Sequence, residues 1–185
     1  MSITEQAVRI ETGSYNVDPV HSQVGFEVKH LGIATFRGSF GGFAGTVTVG
    51  ENGIEAIDGS IEVASVKVLE EQLIGHLLSP DFFDAENNPQ GTFRSTSVEA
   101  VDGESYRVTG DLTLRGVTRP AEVELEVEGA GIGMDGSSVI SLRAGGVINR
   151  SDYGISWGAT LDSGAAVVGE KVNLVITVEA VKAAE

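Results

Sequence analysis

His21 stands beside Ser22, the two side-chain types that a nucleophilic hydrolase pairs as base and nucleophile. Neighbouring residues on a strand point to opposite faces, so these two cannot readily hydrogen-bond to each other. A structural role is therefore expected: His21 ties the first turn to Arg150 or Asp152, or meets a polar head group. His21, His30 and His76 are also three imidazoles, the donor number of some catalytic zinc sites. No HxH or HxxxH spacing gathers them and the chain has no cysteine, so no metal is expected. His30 falls on the apolar face of its segment and reads as a core histidine. His76, just before Leu77, is placed to donate one hydrogen bond to a ligand head. Gly131-x-Gly133-x-x-Gly136 spells a dinucleotide fingerprint, but that motif works only between a strand and a helix N-terminus. Strand patterns flank it on both sides, so a hairpin loop is expected and no cofactor. Arg150, Asp152, Tyr153 and Trp157 admit two compatible readings. One is an ion pair with a packed aromatic at the end of a sheet. The other is a polar rim, with Arg150 holding a carbonyl, amide or phosphate by charge-assisted hydrogen bonds.

The elements that must position these groups are mostly strands. Val24, Phe26, Val28 and His30 alternate with Gln23, Gly25, Glu27 and Lys29, the period of a half-buried strand. Phe36, Phe40 and Phe43 recur among Gly38, Gly41, Gly42 and Gly45, as in a strand that bends sharply. Strands continue over 46–49 and 54–63. Val66, Leu69, Leu73 and Leu77 then share helical spacing, which predicts one amphipathic helix over about 66–79, ended by Pro80. Phe82 and Phe83 follow as a pair that should dock. Strands resume at Gly91, ahead of Phe93, and include Tyr106 to Leu114, with Leu112 and Leu114 on the apolar face. They continue with Ala121 to Glu128, Ile140 to Ile148 and Val172 to Ala180. The alternation in 121–128 puts four glutamates on one outer face. The sum is about eight or nine strands and one helix in a single domain over 13–185, after a loose arm over 1–12.

Net charge is −15, from 27 acidic and 12 basic residues. Such a surface repels nucleic acid and anionic membranes. The first residues lack the basic and apolar regions of a secretory signal, and no 18-residue apolar run is present, so the cytoplasm and no stable membrane insertion are expected. Long strands with one apolar face need a sandwich or a closed barrel, and closure removes exposed edges. About eight strands enclose an interior that side chains fill or that holds one small ligand. The pattern does not decide between these. Seven phenylalanines among 25 glycines favour the hollow form, since rings line a wall while glycines leave volume.

Five segments together resemble the YceI-like family. They are Tyr15-x-Val17-Asp18-x-x-His21-Ser22-x-Val24-x-Phe26-x-Val28-x-His30-Leu31-Gly32, His76-Leu77-x-Ser79-x-Asp81-Phe82-Phe83-Asp84, Gly110-x-Leu112-Thr113-Leu114-Arg115-Gly116-Val117-Thr118, Arg150-x-Asp152-Tyr153-Gly154-Ile155, and Val168-Gly169. They run in order from about Tyr15 to Val181. The resemblance implies an all-β, extended, lipocalin-like antiparallel barrel. It also implies a lengthwise pocket for a polyisoprenoid or quinone-type tail, often in a homodimer. The expected lining is Phe26, Val28, His30, Phe36, Phe40, Phe43, His76, Leu77, Phe82, Phe83, Phe93, Leu112, Leu114 and Ile148, with Arg150, Asp152, Tyr153 and Trp157 at the rim. Leu73 and Ile74 stand where the family often carries an Arg-Asp pair, which puts the relatives' head-group preference in question here. The expected function is sequestration of a long apolar isoprenoid with no enzymatic step. The alternatives are a hydrolase or isomerase using His21, Asp152 and Arg150 on such a lipid, and a filled barrel that serves as a protein-interaction module.

Overall fold

The computed structural model describes residues 9–184; residues 1–8 of the expected arm lie outside that range. The chain forms β1 (Gly13–Val17), β2 (Gln23–His30), β3 (Ala34–Phe40), β4 (Phe43–Gly50), β5 (Gly53–Glu62) and β6 (Val66–Val68). After a short helix α1 (Ile74–Leu78) come β7 (Gln90–Ala100), β8 (Ser105–Leu114), β9 (Val117–Ile132), β10 (Ser138–Asn149) and β11 (Val168–Lys182). All pairings are antiparallel, and the ring β1-β4-β5-β7-β8-β9-β10-β11 closes through β1 on β11. This is a closed eight-stranded barrel with extra strands.

The extra strands are extensions of ring strands. β11 pairs with β1 over Ala180–Lys182 and with β2 over Val168–Thr177, so β1 and β2 form one edge interrupted at residues 18–22. β3 runs into β4 across Gly41-Gly42, and β5 runs into β6 across a single 3-10 turn, Val63–Ser65. Eleven segments are thus eight long strands, three of them bent. The glycine-rich break expected between Phe40 and Phe43 falls at one of these bends.

The bend at 18–22 is latched by side chains. The Ser22 hydroxyl donates to the Glu179 carbonyl (3.2 Å) and accepts from the Glu179 N–H (3.0 Å), replacing ladder bonds that the bend removes. His21 Nδ1 lies 2.7 Å from Asp18 Oδ2 and 3.8 Å from Glu179 Oε1. The expected tie from His21 to Arg150 or Asp152 is therefore replaced by Asp18 and Glu179. The Asp18 hydrogen bond, then its charge and that of Glu179, raises the imidazole pKa. The same hydrogen bond, with one from the Val20 N–H, lowers that of Asp18.

The helix is much shorter than its spacing predicted. Val66–Val68 pairs with β3, a 3-10 turn covers Glu71–Leu73, and only Ile74–Leu78 is α-helical. Two β-branched residues find a strand edge at once, which outweighs their weak helix preference. Leu69, assigned to the helix's apolar face, is fully exposed.

The barrel has two unlike ends. The β4–β5, β7–β8 and β9–β10 turns lie at one, where Tyr15, Val49, Ile54, Tyr106, Val108, Leu125, Val127, Ile140 and Ala180 pack into a solid core. The Tyr15 hydroxyl donates to the Glu11 carbonyl, and Tyr106 Oη accepts from the Ile54 N–H, so both buried rings have bonded tips. At the other end lie the β2–β3 and β8–β9 turns, α1 and residues 150–167. The glycine fingerprint occupies the β9–β10 hairpin, with strands before and after it and no helix N-terminus.

Candidate functional site

The upper half of the barrel is hollow. An apolar cavity of about 430 Å³ runs from the core to the end closed by α1 and residues 150–157. Its wall comes from alternate residues of the strands: Phe26, Val28 and His30 of β2, Phe36 and Phe40 of β3, and Phe43 of β4. Phe93 of β7, Leu112 and Leu114 of β8, and Ile148 of β10 complete that set. His76, Leu77, Phe82 and Phe83 form part of the cap, with Arg150, Tyr153 and Trp157 opposite. Asp152 is exposed and lies outside the wall. Leu73, Ile155 and the inward residues Val172, Leu174, Ile176 and Val178 of β11 also line it. The alternation of β11 was readable in the sequence, but nothing there separated a residue facing the void from one facing the core.

Glycines keep the void open. Phe26 pairs with Gly38 across β2 and β3, and a Cβ on Gly38 would run into the Phe26 ring. The same holds for Gly110 under the Phe93 ring. Each phenyl lies back on bare backbone and leaves the centre free, the pairing known as aromatic rescue of glycine. Phe26, Phe40 and Phe83 form one ring cluster, with centroids 5.8–6.4 Å apart. A second cluster seals the end: His76 meets Phe82 and Trp157 edge-on at 4.9 Å each, and His76 Nε2 reaches Asp81 Oδ2 at 3.0 Å.

Arg150 is the one charged side chain buried among the described residues, 7% exposed. Four bonds go to carbonyls: Nε to Gly169 (2.8 Å), Nη1 to Ile155 (2.9 Å) and Trp157 (2.7 Å), and Nη2 to Val168 (3.3 Å). Among the described residues no ion pair joins it to Asp152, which corrects the expected pair. The carboxylate of Asp152 points elsewhere because residues 150–153 form a 3-10 turn in which position 152 faces solvent. Arg150 thus acts as a staple that folds 155–157 against the start of β11 and sets Ile155 and Trp157 in the wall. A second arginine straps the cap from outside. Arg115, in a left-handed conformation (φ 50°) in the tight β8–β9 turn, donates to Pro80 O (2.7 Å) and Gly154 O (3.0 Å). His30, expected in the core, is exposed, because β2 ends there at the Leu31-Gly32 turn.

His21 and Ser22 are committed to the bend, away from the cavity. A nearby Asp18–His21–Glu179 group has the donor types of a cation site, but its contacts are those of the latch. Among the described residues no helix is long and apolar enough to cross a membrane.

A family model described as YceI-like domain matches residues 15–180. Protein YceI of Shigella flexneri is 37% identical over 164 residues, covering 88% of this chain and 82% of the relative. The crystal structure of Burkholderia cenocepacia BcnA superposes with a TM-score of 0.77 at 24% identity, covering 88% of this chain and 98% of that one. A structure described as a polyisoprenoid binding domain from Saccharophagus degradans superposes with a TM-score of 0.67 at 15% identity, covering 94% and 100%. At those identities the two superpositions speak for the fold alone.

Proposed function

The chain belongs to the YceI-like family, and from that premise we propose that it sequesters or carries a long isoprenoid, of polyprenyl or quinone type, without altering it covalently. The observation that carries this reading is the 430 Å³ apolar cavity. Ligand sites span roughly 300–1,000 Å³, so the size suits a small-molecule site. Each buried methylene contributes about 0.8 kcal/mol, so a tail of roughly twenty carbons offers about 16 kcal/mol against roughly 4–15 kcal/mol for association. The description of the Saccharophagus degradans domain as polyisoprenoid binding supports the same cargo class. Cavity length and width set selectivity, and the rim adds orientation. A homodimer, which the YceI-like resemblance implies, is part of the same proposal.

Organic extraction of the purified protein, with mass analysis of the extract, tests the cargo. A stoichiometric isoprenoid is expected. Native mass spectra of the same sample read the subunit number. A chain that carries no lipid, and whose Trp157 fluorescence does not respond to added long-chain prenols, would overturn the reading. A fixed protein partner on an empty barrel would favour the interaction-module alternative.

A further inference from the structure

Resting on the lipid-carrier reading, we infer that the cargo of this cavity is uncharged at its polar end, bearing at most a hydroxyl or a carbonyl. Only two cavity residues carry a fixed positive charge, Lys29 and Arg150. Lys29 belongs to the outward set of β2; its ammonium is exposed and donates to Thr35 Oγ1 of the next strand at 3.3 Å. Arg150 lines the void with its body, while four of its five N–H groups point into backbone carbonyls. The wall is consequently almost free of polar surface.

The two arginines near the cap do not line the cavity: Arg115 donates to Pro80 O and Gly154 O with its buried Nε left unbonded, and the exposed Arg119 donates to Asp152 O at 3.4 Å. The anions there are not neutralised to match. Asp81 faces His76, Glu170 binds the Ser151 N–H, and the chain carries −15 overall. A phosphate or diphosphate head would leave water for a wall whose one inward cation, Arg150, is already held by four backbone carbonyls, inside a negative field, and burying an unpaired ion is strongly unfavourable. A hydroxyl or carbonyl carries no such penalty, and one hydrogen bond from an imidazole at His30 or His76 satisfies it. Leu73, partly exposed and in the wall, occupies a place where one cation would weaken this preference.

The test compares two C20 isoprenoids that differ only in the head, geranylgeraniol and geranylgeranyl diphosphate. Each is titrated into delipidated full-length protein, with Trp157, the single tryptophan, as fluorescent reporter. The alcohol is expected to bind at least about 100-fold more tightly, a gap of about 2.7 kcal/mol. Equal or tighter binding of the diphosphate overturns the inference and leaves the carrier reading intact. Binding of neither overturns the carrier reading and the inference with it. Leu73→Arg is expected to narrow the gap at least about tenfold. An unchanged ratio in a folded variant would overturn missing cationic charge as the source of the preference.

Discussion

The two ends of this barrel share strands and alternation, yet one is solid and the other hollow. β11 crosses both. Its inward residue Ala180 is completely buried in the core, while inward Val172, eight residues earlier, faces the void. At the solid end, Tyr15 and Tyr106 are buried with their hydroxyls bonded and belong to one cluster with Val and Ile side chains. At the hollow end the Phe26 and Phe93 rings lie back against Gly38 and Gly110. Ring content alone does not make a core. What matters is whether the opposite strand offers a side chain that meets the ring in the middle or a glycine that lets it lie flat.

Substitutions at the two ends should therefore have unlike costs. The largest effect is expected from Tyr15→Ala at the solid end, a loss of about 3–5 kcal/mol in denaturant unfolding. Phe36→Ala, which truncates a ring already facing the void, should lose less than half as much and should change prenol affinity instead. If the two lose equal stability, the ends do not differ in packing. Next comes Arg150→Met, which leaves the carbonyls of Ile155, Trp157, Val168 and Gly169 without their donor. A loss of about 3 kcal/mol and a red-shifted Trp157 emission are expected. Arg150→Lys should not rescue it, because an ammonium cannot reproduce the planar fork.

A smaller pair lies on β11 itself. Ala180→Leu should overpack the core and cost about 1–3 kcal/mol. Val172→Phe should change stability by under about 1 kcal/mol while lowering prenol affinity, as isothermal titration would read. Equal destabilisation by the two would argue for a filled barrel throughout.

The smallest effect is electrostatic, at the latch between β1 and β2. His21 has a raised folded pKa, so its contribution is full below the unfolded value of about 6.5 and is lost as pH rises through the folded one. Asp18 has a lowered pKa, so its contribution is full above about 3.9 and is lost as pH falls through the folded value. The latch is complete between those two pH values. The Tm difference between wild type and His21→Asn should be larger at pH 5.5 than at pH 8.5. A difference that grows with pH would contradict the Asp18–His21 pairing.

Strand alternation, and with it the inward or outward face of each side chain, follows from the amino-acid order alone. These are local properties, because the period-two pattern assigns each residue a face without reference to any other strand. In β9 the four glutamates 122, 124, 126 and 128 point out and Ala121, Val123, Leu125 and Val127 point in, as the pattern demands. Partners far apart in the chain were decided only by the tertiary structure. Ser22 finds the Glu179 backbone 157 residues away, Arg150 finds carbonyls in place of Asp152, and Val66–Val68 leaves its helical spacing for the edge of β3. The void was also beyond local pattern. It depends on register, which sets a phenyl opposite a glycine instead of another side chain, and register belongs to pairs of strands rather than to any one of them.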